Sequence, residues 1–384
     1  MSVLFTPFTT MIPVARPYIG AEEEQAVIDV LRSGWVTQGP RVAVFEEKFS
    51  EYIGCGYSVA VSSCTTALHL ALLASGIGPG DEVICPSLSF IATANSIAYT
   101  GATPVFGDIN LATYNLDPAR LEETISPRTK AILIVHQIGL PAEMNDLLAV
   151  AAKRGLTIIE DAACAIGSEY DGNLIGKPLG TMACFSFHPR KILTTGEGGM
   201  ITTSDAKLAE RLRRLRQHAM SLSDVARHNA KQISSETYGE VGFNFRMTDM
   251  QAAIGLVQLG RLDDFLKRRR YLAARYTEGL RNVPWLQTPA VPHNCRHNYQ
   301  SYMVRLIGDV ATRRDAIMQD LLEKNISTRR AIMATHRELP YRSERWEQGL
   351  PQTNLVADTG LILPLFHQMT DSEQDYIIEA LQAY

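Results

Sequence analysis

The stretch CFSFHPRKILTTGEGGMITT, Cys184 to Thr203, decides how this chain is read. Two short apolar runs of strand type, MACFSFH and GGMITTS, flank a turn that carries Lys191 beside His188 and Arg190. A lysine kept for solubility sits on a polar helix face. This one leaves the end of a hydrophobic strand. A lysine amine forms a Schiff base readily only when burial or nearby cations lower its pKa, and the apolar strand with Arg190 adjacent suits that condition. The GEGGM that follows lets the backbone turn tightly and approach a ligand. An ordinary surface lysine in a turn is the other reading of the same letters.

Outward from this turn, helix and strand signals alternate. GAEEEQAVIDVLRSG (20–34) has acids in its first turn, apolar residues at helical spacing and a glycine stop, and PRVAVFEEKFSEYIG repeats the form. TTALHLALLASG, FIATANSIAYTG, DPARLEETI and AEMNDLLAVAAKRG read as further helices. DEVICPS, TPVFGDI, KAILIVHQ and LTIIEDAA read as buried strands. Short apolar strands alternating with helices predict an α/β fold, a mostly parallel central sheet between helices, with ligands beyond the carboxyl ends of the strands. His136 and Asp161 fall at those ends. After about Arg261 the texture changes to a long amphipathic helix, the strand-like NYQSYMVRLIG and two more helices. The expected division is a large domain over 1–260, whose first segment packs on the other domain, and a smaller C-terminal α/β domain over 261–384.

Bulk properties exclude several classes. The 384 residues are 46% apolar and carry a net charge of −4, which gives no electrostatic case for nucleic acid or an anionic membrane. The basic runs RLRRLRQH (211–218) and KRRR (267–270) read as solvated or ion-paired helix faces. No apolar run is long enough to span a bilayer. The proline-interrupted start lacks the pattern of a signal peptide. The six cysteines form no Cys-x-x-Cys pair and read as reduced thiols, so the expected location is the cytoplasm.

Three more features accompany Lys191. Ser63, Cys64, Thr65 and Thr66 open a helix, where free N–H groups and the helix dipole favour a phosphate; the same residues also suit a plain cap. Glu160-Asp161 ends an apolar strand. A carboxylate there is costly unless it meets a positive partner, such as a protonated pyridine nitrogen; an N-cap or a buried salt bridge is the other reading. Phe90 follows a strand end and could stack on an aromatic ring or fill the core.

In order and spacing, RPYIGAEEEQAVIDVLRSGWVTQGP, TTALHLAL, PSLSFIATAN, EDAACAIGS, FSFHPRKILTTGEGGM, GFNFRMTDMQAAIGLVQL and LPLFHQMTD resemble the sugar-nucleotide aminotransferases of the DegT/StrS group, pyridoxal-phosphate enzymes of fold type I. The resemblance covers nearly the whole chain. It implies pyridoxal 5′-phosphate on Lys191, Asp161 at the pyridine nitrogen, Phe90 over the ring, and Cys64, Thr65 and Ser186 at the phosphate. Asn244 would reach the cofactor of the neighbouring subunit, in a homodimer with shared active sites. Family members often carry Gln or His where this chain has Cys164, a weak donor to the cofactor's phenolic oxygen. The implied reaction passes an amino group from glutamate or glutamine to a nucleotide-diphosphate keto sugar, a 4-keto-6-deoxy sugar in perosamine-synthase-like members. A 3-keto sugar or keto-cyclitol aminotransferase and a non-catalytic regulator are the competing readings. A nicotinamide dehydrogenase is not expected, since no strand-Gly-x-Gly-x-x-Gly-helix unit occurs. His188 reads as a core imidazole, with substrate contact as the second reading. Arg329, Arg330 and His336, in TRRAIMATHRELPY (328–341), are candidates for the nucleotide phosphates or for structural work.

Overall fold

The computed structural model describes residues 10–221 and 235–384. Seven strands form the large sheet: β1 (Tyr57–Val61), β2 (Glu82–Pro86), β3 (Thr103–Gly107), β4 (Thr129–Val135), β5 (Thr157–Asp161), β6 (Met182–Ser186) and β7 (Gly199–Thr203). Their order across the sheet is β1-β7-β6-β5-β4-β2-β3. Only β7 runs antiparallel to its neighbours in this sheet. The glycine-rich turn carrying Lys191 is therefore a link between antiparallel neighbours, short enough to need no crossover helix.

Period-two alternation sends the strands' side chains to two cores. On β4, Ile132 and Ile134 join Val42, Phe45 and Phe49 of α2 (Pro40–Ile53) and Leu147 of α5 (Met144–Arg154). Ala131, Leu133 and Val135 join Leu68, Leu70 and Leu72 of α3 (Cys64–Ala74) on the other face. Helix α1 (Ala21–Ser33) ends at Gly34 in the left-handed conformation, φ 75°, as its glycine stop predicts. Helix α4 is Ala92–Tyr99 and α6 is Ala206–Leu215. DPARLEETI departs from its helical reading. Pro118–Thr124 is a 3₁₀ segment behind Asp117, whose side chain accepts from the Ala119 N–H at 3.0 Å, and it is too short to settle into a regular α-helix.

Helix α7 (Asp249–Gly260) leads into the long α8 (Leu262–Leu280). A second sheet, antiparallel, holds Leu286–Gln287, Tyr302–Leu306, Gly360–Leu363 and Arg329–Arg330 in that order. Its core gathers Leu272, Tyr276 and Leu280 of α8, Ile377 and Leu381 of the last helix, and Ile12 from the N-terminal segment. The chain also returns to the residues of the first part. Cys295–Arg296 pairs with Glu169–Tyr170 in a small third sheet, and Ala334 bridges Leu88 just past β2. No local pattern of residues announces this crossing.

The two basic runs differ from each other. Arg211, Arg214 and Arg216 pair with Glu240, Glu210 and Glu46, in line with an ion-paired face. In the second run Arg268 pairs with Asp371, but Arg269 is buried and donates to the carbonyls of Tyr299, Gln300 and Leu365. Arg270 donates to the carbonyls of His297 and Gly167. These two are braces of the crossing rather than a solvated face.

Candidate active site

The carboxyl ends of β5 and β6 bring four of the sequence candidates together: Asp161, Cys164, Lys191 and Cys64. Asp161 is the last residue of β5 and is 6% exposed. Its Oδ1 accepts from the Ala163 N–H at 3.1 Å and its Oδ2 from the Thr93 hydroxyl at 3.0 Å. Burial pushes its carboxyl above the ordinary aspartate range, against the pull of the Ala163 N–H, the Lys191 ammonium and the Thr93 hydroxyl. The neighbouring Glu160 is spent on structure. It accepts from the His136 Nε2–H at 3.1 Å and from the Gly180 N–H at 2.7 Å. His136 Nδ1 accepts from the Ala142 N–H at 3.0 Å, so both of its ring nitrogens are used.

Lys191 follows a turn closed by its own N–H on the His188 carbonyl at 2.8 Å. Its Nζ donates to Cys164 Sγ at 3.0 Å. The direction of its pKa differs from the sequence reading. Burial alone favours the neutral amine, but Cys164, Cys64 and Asp161 hold the ammonium, and the net shift is upward. Arg190, invoked as a lowering charge, is exposed, and its N–H and carbonyl are tied to His188 Nδ1 and Gln300. His188 thus serves the turn through its Nδ1, and it is half-buried rather than the core imidazole expected.

Cys64 is the first residue of α3. Its side chain points into the core and donates to the Cys184 carbonyl at 3.6 Å. Any anion contact it makes comes from its backbone N–H, not from its sulfur. Ser63 caps the helix through its hydroxyl, which accepts from the Thr66 N–H at 3.2 Å. The helix start packs against Gly199 so closely that a Cβ there would lie 2.5 Å from the Ser63 carbonyl carbon and 2.8 Å from the Cys64 nitrogen. Gly199, the second glycine of the pair in GEGGM, is therefore needed for this approach. Thr65 and Ser186 are half-buried, and Ser186 Oγ accepts from the His188 N–H at 3.4 Å.

Phe90, just past β2, is 65% exposed, so the core reading of this ring does not hold. Asn244 stands apart. Phe243 and Phe245 stack with ring centroids 4.9 Å apart and pack on His69 of α3. This leaves Asn244 exposed, accepting from Arg246 Nε at 3.2 Å, and no hydrogen bond joins it to the Lys191 group among the described residues.

Two contributors escaped the sequence reading. Thr93, bonded to Asp161, is itself bonded to Ser89 at 2.7 Å. Helical spacing from Ser89 to Thr93 was the available signal. Asn298, on the returning segment, donates from Nδ2 to the carbonyls of Cys164 and Ile166, both at 2.8 Å. It fixes the loop behind Asp161, and no local pattern foretells it. His336 takes the structural one of its two readings: it is buried against Ser87, whose hydroxyl contacts its Nδ1 at 2.7 Å and accepts from its N–H at 3.0 Å. Arg330 pairs with Asp315.

The group fits pyridoxal phosphate. A buried carboxylate pushed toward protonation, an amine held beside it, a helix start backed by glycine and a bare aromatic ring supply contacts of the kinds its ring nitrogen, aldehyde, phosphate and ring face require. Comparison with known proteins agrees. The model of the DegT/DnrJ/EryC1/StrS aminotransferase family matches residues 17–382. The spore coat polysaccharide biosynthesis protein SpsC of Bacillus subtilis (strain 168) is 42% identical over 379 residues, 97% of this chain and 96% of that protein. The solved aminotransferase TlmJ from Streptoalloteichus hindustanus is similar with a TM-score of 0.89 and 38% identity, covering 97% of this chain and 98% of that one. The sugar aminotransferase Spr1654 from Streptococcus pneumoniae, described as putative and solved in its PLP form, gives a TM-score of 0.90 at 29% identity over 97% and 98% of the two chains.

Proposed function

The chain belongs to the DegT/DnrJ/EryC1/StrS aminotransferase family, whose pyridoxal-phosphate-dependent sugar aminotransferases it matches over nearly its whole length, and on that premise we propose that it transfers the amino group of glutamate to a nucleotide-linked keto sugar. A 4-keto-6-deoxy sugar is the acceptor in this reading, and a surface polysaccharide or glycoconjugate the destination. The polysaccharide role named for SpsC supports that destination. The observation that carries the reading is Lys191 held beside the buried Asp161 at the carboxyl ends of β5 and β6.

When bound, pyridoxal phosphate supplies an aldehyde that takes up amines and a protonated ring that draws electrons from the carbon bearing the nitrogen. Lys191 would hold the aldehyde carbon. Once freed by the donor's amine, its Nζ takes the proton from the donor's α-carbon and later returns one to the sugar carbon. That task requires a neutral amine, so the thiols and the carboxylate that now hold the ammonium must lose their grip, and Asp161 does so when its charge is turned to the ring nitrogen. Thr93 and the Ala163 N–H orient the carboxylate for this. Phe90 covers the ring, while the N–H groups at the start of α3, with Thr65 and Ser186, take the phosphate. Asn244 reaches the partner subunit's cofactor in a homodimer.

The test is a panel of nucleotide-linked keto sugars incubated with glutamate, products being identified by mass and proton spectra. Amination of the 4-keto-6-deoxy sugars is expected. Amination confined to 3-keto sugars or keto-cyclitols contradicts the acceptor. Failure of glutamate and every other amino donor to change the cofactor's absorbance contradicts catalysis itself.

A further inference from the structure

Lys191 Nζ and Cys164 Sγ lie 3.0 Å apart, a hydrogen bond between an amine and a thiol in one pocket. Asn298 grips the Cys164 carbonyl at 2.8 Å and fixes the backbone from which the thiol projects. It is also the most accessible sulfur in the group: Cys164 is half-buried, whereas Cys64 and Cys184 are buried, with the Cys64 sulfur turned to the Cys184 carbonyl. A small oxidant entering the pocket meets Cys164 first.

We propose that hydrogen peroxide couples Cys164 to Lys191 through a sulfur–nitrogen bond, a reversible oxidative lock on the lysine that catalysis needs. In the first step the thiol attacks the peroxide, the O–O bond breaks, sulfur is oxidised to a sulfenic acid, and one water leaves. In the second, the Lys191 nitrogen displaces the hydroxyl from that sulfur. An S–N bond forms, a second water leaves, and the ammonium gives up two protons, one into that water and one to solvent. The linked pair has lost two hydrogens in total, and two equivalents of thiol reductant restore both side chains. The long lysine side chain closes the gap by rotation about its own bonds. The timing of the lock rests on the proposed function: Lys191 is protected while it holds the cofactor and exposed once an amino donor has displaced it.

The test uses the full chain in three states: free of cofactor, loaded with pyridoxal phosphate, and loaded then treated with glutamate. Each is exposed to peroxide and mapped by peptide mass. The expected product is a Cys164–Lys191 peptide pair lighter by two hydrogens than its parts. It should form in the cofactor-free state, be suppressed on loading, return with glutamate, vanish with thiol reductant and be absent from Cys164→Ser. Oxidation of Cys164 to sulfinic or sulfonic acid, or a Cys64–Cys164 disulfide, with Lys191 left unmodified in the cofactor-free chain overturns the lock. A cross-link that forms equally in all three states keeps the lock and instead counts against Lys191 as the cofactor's anchor.

Discussion

Two regions of the molecule draw a cation inward, Lys191 half-buried and Arg269 buried, and they use it differently. At the carboxyl end of the large sheet, Lys191 faces a thiol and a carboxylate. At the crossing of residues 295–300, Arg269 faces the carbonyls of Tyr299, Gln300 and Leu365, at 2.9, 2.6 and 3.1 Å. Burial pushes the Arg269 guanidinium down to about 9, yet fixed backbone dipoles stabilise it, and among the described residues its hydrogen bonds all go to carbonyls. The groups around Lys191 can themselves gain or lose protons. A buried cation ringed by carbonyls is a brace. A cation set beside proton-exchanging groups is suited to chemistry.

Removing each cation sharpens the contrast. Lys191→Ala should lower turnover by about 10⁴-fold or more, because the anchoring nucleophile and the proton carrier are lost together, while the melting temperature stays near that of the parent. Retained turnover would place the chemistry elsewhere. Arg269→Met should do the opposite. Three carbonyls lose their donor, at a cost of about 3 kcal/mol or more in chemical denaturation, while turnover per folded molecule holds. Asp161→Asn belongs with the first region. Its turnover should fall by about 10²-fold, and the stability of the cofactor-free chain should not fall, since a desolvated carboxylate has been removed.

The smallest effect concerns acid. Burial, helped by Arg270 and Arg269, pushes His297 at the crossing down to about 3 from an ordinary 6.5. The unfolded chain therefore takes up this proton first as pH falls. The contribution to stability is whole above pH 6.5 and is lost progressively toward the folded value. His297→Asn keeps an acceptor for the Tyr299 N–H, which His297 Nδ1 now receives at 3.1 Å, and removes the titration. Melting followed from pH 7 to pH 4 should show a shallower acid limb in the variant, by up to about 1 kcal/mol per pH unit. An unchanged limb would mean that other groups set the acid sensitivity.

The two regions were also unequally legible. Lys191 and Asp161 could be read because their signals are local: an apolar strand, its polar last residue and a glycine turn lie within a few residues of one another. Phe90 was half-legible, since a strand end marks the ring but only its exposure separates stacking from packing. The crossing could not be read. Arg269, Asn298 and His336 acquire their roles from partners far along the chain, and their letters alone suit a solvated helix face or a phosphate site equally well. Thr93 lies between these cases, reachable through helical spacing once Ser89 is placed. The upward shift at Lys191 was missed for the same reason as the crossing. Arg190 is its neighbour in sequence, but Cys164 and Asp161 are its neighbours in space.

The most direct test of the account is to load the purified chain with pyridoxal phosphate, reduce it with borohydride and locate the trapped cofactor by peptide mass. The account predicts a single reduced adduct on Lys191, with glutamate treatment beforehand preventing it. An adduct on another lysine, or none in a chain that binds the cofactor, would contradict it.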